Sequence, residues 1–180
     1  MDLKQTIKKV ESSKAYKQFI KANPEYYLVH CFSMFQHGDK EHKWELGFYS
    51  EKTDKLVVFE TMPKVVMRKA EEALKRDGSI KKLDMGKVKV SLTRALEIVS
   101  ELLAKEYPNR SITKNIIVLQ NLERQMYNIT LVTISFDIIN IKIDADSGDI
   151  ISHNLQSIMN LGKWEKGGGS GGGVGKPSAA

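Results

Sequence analysis

Two imidazoles and two carboxylates lie close together at His37-Gly-Asp39-Lys-Glu41-His42, a density of ligand-type groups that raises the question of zinc. A zinc site needs three or four ligands held rigidly around the ion. A polar run between two apolar stretches reads instead as a mobile surface turn. Asp144, Asp146 and Asp149 offer the alternating carboxylates of a calcium loop. Gly148, however, comes one place early for an EF-hand, and Leu155 stands where the bidentate glutamate belongs, so the stretch reads as an Asx-type hairpin turn. His30 and Cys31 adjoin in an apolar run, but neighbouring strand residues point to opposite faces and cannot serve each other as base and nucleophile. Asn109-Arg-Ser111 and Asn128-Ile-Thr130 fit the glycosylation sequon, which has meaning only in a secreted chain. No Walker loop, GxSxG elbow or CxxC pair occurs. The residues therefore predict no catalytic group, no cofactor and no metal site.

The most conspicuous remaining chemistry is positive charge. The chain of 180 residues has 28 Lys+Arg against 22 Asp+Glu, a formal net charge of +6. Residues 1–62 carry ten basic and nine acidic side chains, and residues 91–164 carry seven and eight. Residues 63–90 hold nine basic and four acidic side chains, so nearly all of the excess sits in one connector. Lys64, Arg68, Lys69, Lys75, Arg76, Lys81 and Lys82 are its candidate anion contacts. Because these charges are interleaved with an apolar helical pattern, a solvated helix face is the plainer reading of the same residues.

The elements that must carry these groups follow from periodicity. Leu3, Ile7 and Val10 share a helical face that Tyr16, Phe19 and Ile20 leave, with Ser12-Ser13 at the shift. That pattern predicts one short helix, then a second that stops before Pro24. Tyr26–Phe35, residues 43–50 and Leu56–Phe59 read as strands. From Pro63 the connector reads as a helix: Met62, Val66, Ala70, Ala73 and Leu74 recur at near-helical spacing, with Thr61 as a cap, Pro63 in the first turn and Gly78 as a stop. Residues 79–90 follow as a basic linker.

Ser91 caps a clear amphipathic helix, Leu92-Ala95-Leu96-Val99-Leu102-Leu103-Tyr107, which ends at Pro108. Strands are predicted at Ile116–Leu119, at Tyr127–Ile134, through Ile139, Ile141 and Ile143, and from Ile150. The apolar phase slips near Phe136–Ile138, which calls for a tight turn or bulge. Leu155, Ile158, Met159 and Trp164 form an apolar tail able to dock back as a helix. Residues 165–180, rich in glycine and serine, read as a flexible coil of the kind that joins fused proteins. No apolar run is long enough to span a membrane and the N-terminus shows no signal-peptide core, so a soluble, cytoplasmic chain is expected.

Units 1–62 and 91–164 have the same order of elements. Trp44, Leu46 and Phe48 align with Ile139, Ile141 and Ile143 at an offset of 95, and Leu56-Val57 with Ile150-Ile151 at 94, which suggests an internal duplication. Within the second unit, Leu92-x-x-Ala95-Leu96-x-x-Val99, Tyr127-x-Ile129 and Ile141-Lys-Ile143-Asp144-Ala-Asp-Ser-Gly148-Asp-Ile150-Ile151 resemble a PepSY domain, the propeptide-like module found beside thermolysin-type metallopeptidases. The last segment is similar to that family's DA-x-TG hairpin, with Ser147 in place of threonine, and the likeness covers about residues 88–155. Residues 12–62 match in pattern alone, with Asp54-Lys55 replacing the Ser-Gly of the hairpin. The resemblance implies an α+β chain of two tandem, cystatin-like units, each a helix on a three- to four-stranded antiparallel sheet, joined by the basic helix. It also implies a non-catalytic inhibitory or regulatory role.

Two functions are therefore expected. The first is recognition of a protein or peptide partner through an open sheet edge or face. The alternative is nucleic-acid or polyanion binding through the connector.

Overall fold

Ser13 ends one helix and starts the next. A computed structural model describes residues 2–39, 42–68, 71–72 and 80–157. Helix α1 (Leu3–Ser12) gives way to α2 (Lys14–Ala22) at Ser13, whose hydroxyl accepts a hydrogen bond from Tyr16 N at 3.2 Å. The break turns two apolar stripes toward one target: Leu3, Ile7 and Val10 are buried, and Tyr16 and Phe19 set their rings against Phe59. Strands β1 (Tyr27–Gln36), β2 (Trp44–Ser50) and β3 (Lys55–Glu60) follow. Two short strands, β4 (Val66–Met67) and β5 (Glu71–Glu72), both pair with β3. A 3-10 turn at Met85–Lys87 then leads to α3 (Leu92–Glu106), capped by the Ser91 hydroxyl. The chain continues as β6 (Ile112–Asn121), β7 (Gln125–Thr133), β8 (Asp137–Asp144) and β9 (Ile150–Ser157).

All these strands form one antiparallel sheet, in the order β4-β3-β2-β1-β6-β7-β8-β9, with β5 on β3. The seam between the N-terminal and C-terminal halves is the β1–β6 pair, whose register runs from His30↔Gln120 to Gln36↔Lys114. Period-two alternation sends one set of side chains to the helices. Cys31, Leu46, Ile117, Leu119, Ile129, Leu131, Ile139, Ile141 and Ile143 join the helix residues in a single buried cluster. Each buried isoleucine is worth about 1.5–3 kcal/mol relative to exposure, so this face dominates the packing energy. The phase slip is a turn at Ile134–Phe136, with Phe136 at φ 59°.

The connector differs from its expected form. Where residues 63–90 are described they hold two short strands and a 3-10 turn, and no α-helix. Tertiary partners override the helical spacing. Thr61, expected as the cap, is buried and donates its hydroxyl to Trp44 O at 2.7 Å, while Arg68 N donates to Val58 O at 2.8 Å. Lys69, Ala70 and residues 73–79 lie outside the described residues, as do Ile158, Met159, Trp164 and the Gly/Ser-rich tail.

Residues 80–90 are a strap across one end of the sheet. Leu83 N donates to Leu28 O on β1, Asn121 Nδ2 on β6 donates to Lys82 O, and Asp84 N donates to Gln125 Oε1 on β7. Lys89 N and Val90 N both donate to Ala145 O, in the β8–β9 turn. Leu83, Val88 and Val90 close that end of the core, and the buried Tyr127 hydroxyl donates to Val90 O at 2.9 Å.

Candidate functional site

The acidic turn spends its carboxylates on its own backbone. Asp144 Oδ1 accepts from Asp146 N at 2.8 Å and Ser147 N at 3.1 Å, and its second oxygen accepts from Arg124 at 3.3 Å. The Asp146 amide foremost, then those of Ser147 and the Arg124 guanidinium, hold the Asp144 carboxyl below its usual range. Gly148 takes φ 85°, and Asp149 accepts from the Ser147 hydroxyl at 2.7 Å. This is the Asx-type turn read from the sequence. Among the described residues no group of three or more His, Cys, Asp or Glu is placed to hold a metal ion.

His30 and Cys31 point apart. Cys31 is fully buried in the helix-side core, where desolvation raises its thiol pKa and holds it as the inert thiol. His30 lies on the other face, opposite Gly47, and burial lowers its pKa.

His37, Asp39 and His42 do converge on one place, a groove between the end of β1, the middle of α3 and the start of β6. Glu41 lies outside the described residues. Reading these residues as a turn alone missed that the turn forms one wall of a cavity, because its opposite wall comes from a helix far along the chain.

The seven basic candidates do not gather on one helix face among the described residues. Arg68 is clamped by two carboxylates, Glu45 and Glu60, which face each other across β2 and β3. Lys64, Lys81 and Lys82 are exposed. Lys69, Lys75 and Arg76 lie outside the described residues.

The far edge of the sheet has a different character. Among the described residues β9 pairs on one side only, with β8. Ile150, Ile151 and Leu155 are 39%, 41% and 38% exposed, in a strand with no fully buried residue. Its link to the helix layer is His153, whose Nδ1 lies 2.8 Å from the Tyr107 hydroxyl at the end of α3. On the face away from the helices, Phe32, Met34, Ile116, Val118, Val132 and Ile138 form a half-buried apolar band, with Met34 the most open at 50%.

No family model matches this chain, and no curated protein does. Among solved structures, it is similar to a protein provisionally described as a lipoprotein from Clostridium difficile 630, at a TM-score of 0.51 and 15% identity, covering 79% of this chain and 90% of that one. A likeness at that identity shows the fold alone: an α+β chain with helices on an antiparallel sheet. No helix among the described residues is long and apolar enough to cross a membrane.

Proposed function

We propose that this chain is a non-catalytic binding or regulatory module of the cytoplasm that recognises a protein or peptide partner by strand addition at β9. The observation that carries the reading is the edge itself: eight residues of strand with a register shift near its start, paired on one side among the described residues, with three large aliphatic side chains more than a third exposed. Of the charge, proline and bulges that ordinarily guard such an edge, β9 has a register irregularity at its start, between the Lys142–Ser152 and Ile143–Ile150 pairs, and it contains no lysine, arginine, aspartate, glutamate or proline. An extended peptide laid along it would gain main-chain hydrogen bonds, with alternate side chains reading Ile151 and Leu155. We further propose that the two halves are related PepSY-like units, joined edge to edge through their first strands. The repeated order of helix and antiparallel strands, and the Asp144–Gly148 turn at the β8–β9 hairpin, support this.

Polyanion binding is the weaker reading. It rested on one exposed helical face, and Arg68, near the start of that stretch, is held by two glutamates.

Selection of peptides from a random display library, followed by hydrogen exchange on the complex, tests the proposal. The expected result is slowed exchange across Ile150–Ser157 and loss of binding by Ile151→Lys and Leu155→Lys. Selected peptides that protect another surface, or that bind both variants unchanged, would overturn it.

A further inference from the structure

Strand β6 turns Asn115, Ile117 and Leu119 to the helix side. At that depth Ile117 and Leu119 are apolar, as the position demands, and Asn115 is not. The residue is only 4% exposed, between its cross-strand neighbours Phe35 and Leu131. The fully enclosed side-chain polar atoms without a partner among the described residues are Ser33 Oγ and His42 Nδ1, and the Asn115 carboxamide is not one of them. A polar atom enclosed without a partner is costly and native proteins leave few, and one of these two, on His42, belongs to a residue lining the same groove as Asn115. Asn115 lines the groove noted above, a cavity of about 550 Å³ walled by Phe35, Leu96, Val99, Leu103 and Leu131. That volume falls within the roughly 300–1,000 Å³ of small-molecule sites, which combine apolar walls with a few fixed polar groups.

The rim narrows the chemistry of an occupant. Arg110 is ion-paired with Asp137, so its charge is compensated. Asp39 accepts from Gln36 N at 3.1 Å. The His42 ring lies 4.1 Å from that of Phe35, tilted by 46°, its Nδ1 is enclosed without a hydrogen-bond partner among the described residues, and burial favours its neutral form. No free cation faces the cavity among the described lining residues, while Asn115 presents one donor group and one acceptor side by side.

We propose that this groove binds a small uncharged molecule with an apolar body and an amide-like edge, the edge pairing with the Asn115 carboxamide and the body lying under α3 between Leu103 and Leu131. The site is separate from β9, and its test does not depend on the peptide reading.

Benzamide serves as the probe, with benzoate and benzylamine as charged isosteres, in NMR titrations of the whole chain. The expected result is saturable shifts of the Asn115 side-chain amide and the Leu103 and Leu131 methyls with benzamide, and binding weaker by about tenfold or more for either charged probe. Asn115→Leu is expected to weaken benzamide by about tenfold or more. Should that variant fail to fold, Leu103→Trp, which fills the cavity from α3, is expected to abolish the shifts. No shift at Asn115, equal binding of the three probes, tighter binding of benzylamine, or unchanged benzamide binding in the folded variants would each overturn the proposal.

Discussion

The imidazole of His30 lies over the bare Cα of Gly47, so close that a methyl group built there would stand 2.2 Å from His30 Cε1. The two are cross-strand partners in β1 and β2, beside a register irregularity between Leu28 and His30. Glycine is required here for room, since its backbone is ordinary extended strand. Gly47→Ala is expected to cost about 1–3 kcal/mol by overpacking, read from urea denaturation. Adding His30→Ala should recover part of that loss, giving a coupling of about 0.5–3 kcal/mol in the double-mutant cycle. Strictly additive effects would show that the two do not share this space.

The same burial makes the fold sensitive to mild acid. His30 and His42 have folded pKa values below the ordinary 6.5, with desolvation the leading cause. The unfolded chain therefore takes up these protons first as pH falls. Their contribution to stability is complete above about pH 6.5 and declines below it, until the folded pKa is reached. Urea midpoints should drop from pH 7 toward about pH 5, and His30→Gln should flatten that limb. A wild-type midpoint constant across the range would contradict the argument.

At Asp144 the sign is the same and the window lower. Its carboxylate is held below the ordinary 3.8, so the stability it supplies is present above that value and is lost as pH falls through the folded pKa. Asp144→Ala removes the acceptor for two backbone amides and is expected to cost about 2–3 kcal/mol. Asp144→Asn keeps an oxygen for those amides and should cost about 1 kcal/mol, while removing the acid limb. Thermal melts at neutral and acid pH distinguish the two effects.

Arg68 separates two glutamates that would otherwise face each other directly, Glu45 and Glu60. Like charges opposite one another destabilise a sheet, but these side chains are well solvated and screened. Arg68→Ala should cost no more than about 1 kcal/mol at low salt, and less at high salt. Melting temperatures at two ionic strengths check it, and a loss that grows with salt would be the wrong sign.

Local chemistry was legible in the sequence, and long-range partnership was not. The Ser12-Ser13 break, the Ser91 cap, the turn at Phe136 and the Asp144–Gly148 turn are each specified by residues within a few places of one another. The connector had helical spacing, but where it is described near Arg68 it is tied to the sheet by Val58, Glu45 and Glu60, which no local pattern announces. Alternation shows which face of a strand is buried and leaves its neighbour open. The pairing of β1 with β6, and the meeting of His30 with Gly47, were therefore out of reach. Asn115 escaped for a narrower reason: the predicted strand began at Ile116, whereas β6 begins at Ile112, and only the longer strand puts an asparagine in core phase.

The β1–β6 seam joins stretches of chain far apart in sequence through seven cross-strand pairs, and the strap adds Leu83 N to Leu28 O across the same boundary. A protein divided in the connector would yield two pieces that each lay bare one raw edge of that seam. The edges are complementary in register and in apolar pattern, so co-expressed halves should reassemble into the parent sheet, whereas either half alone should stack on copies of itself. The seam thus makes the molecule one cooperative sheet and also marks where it can be taken apart.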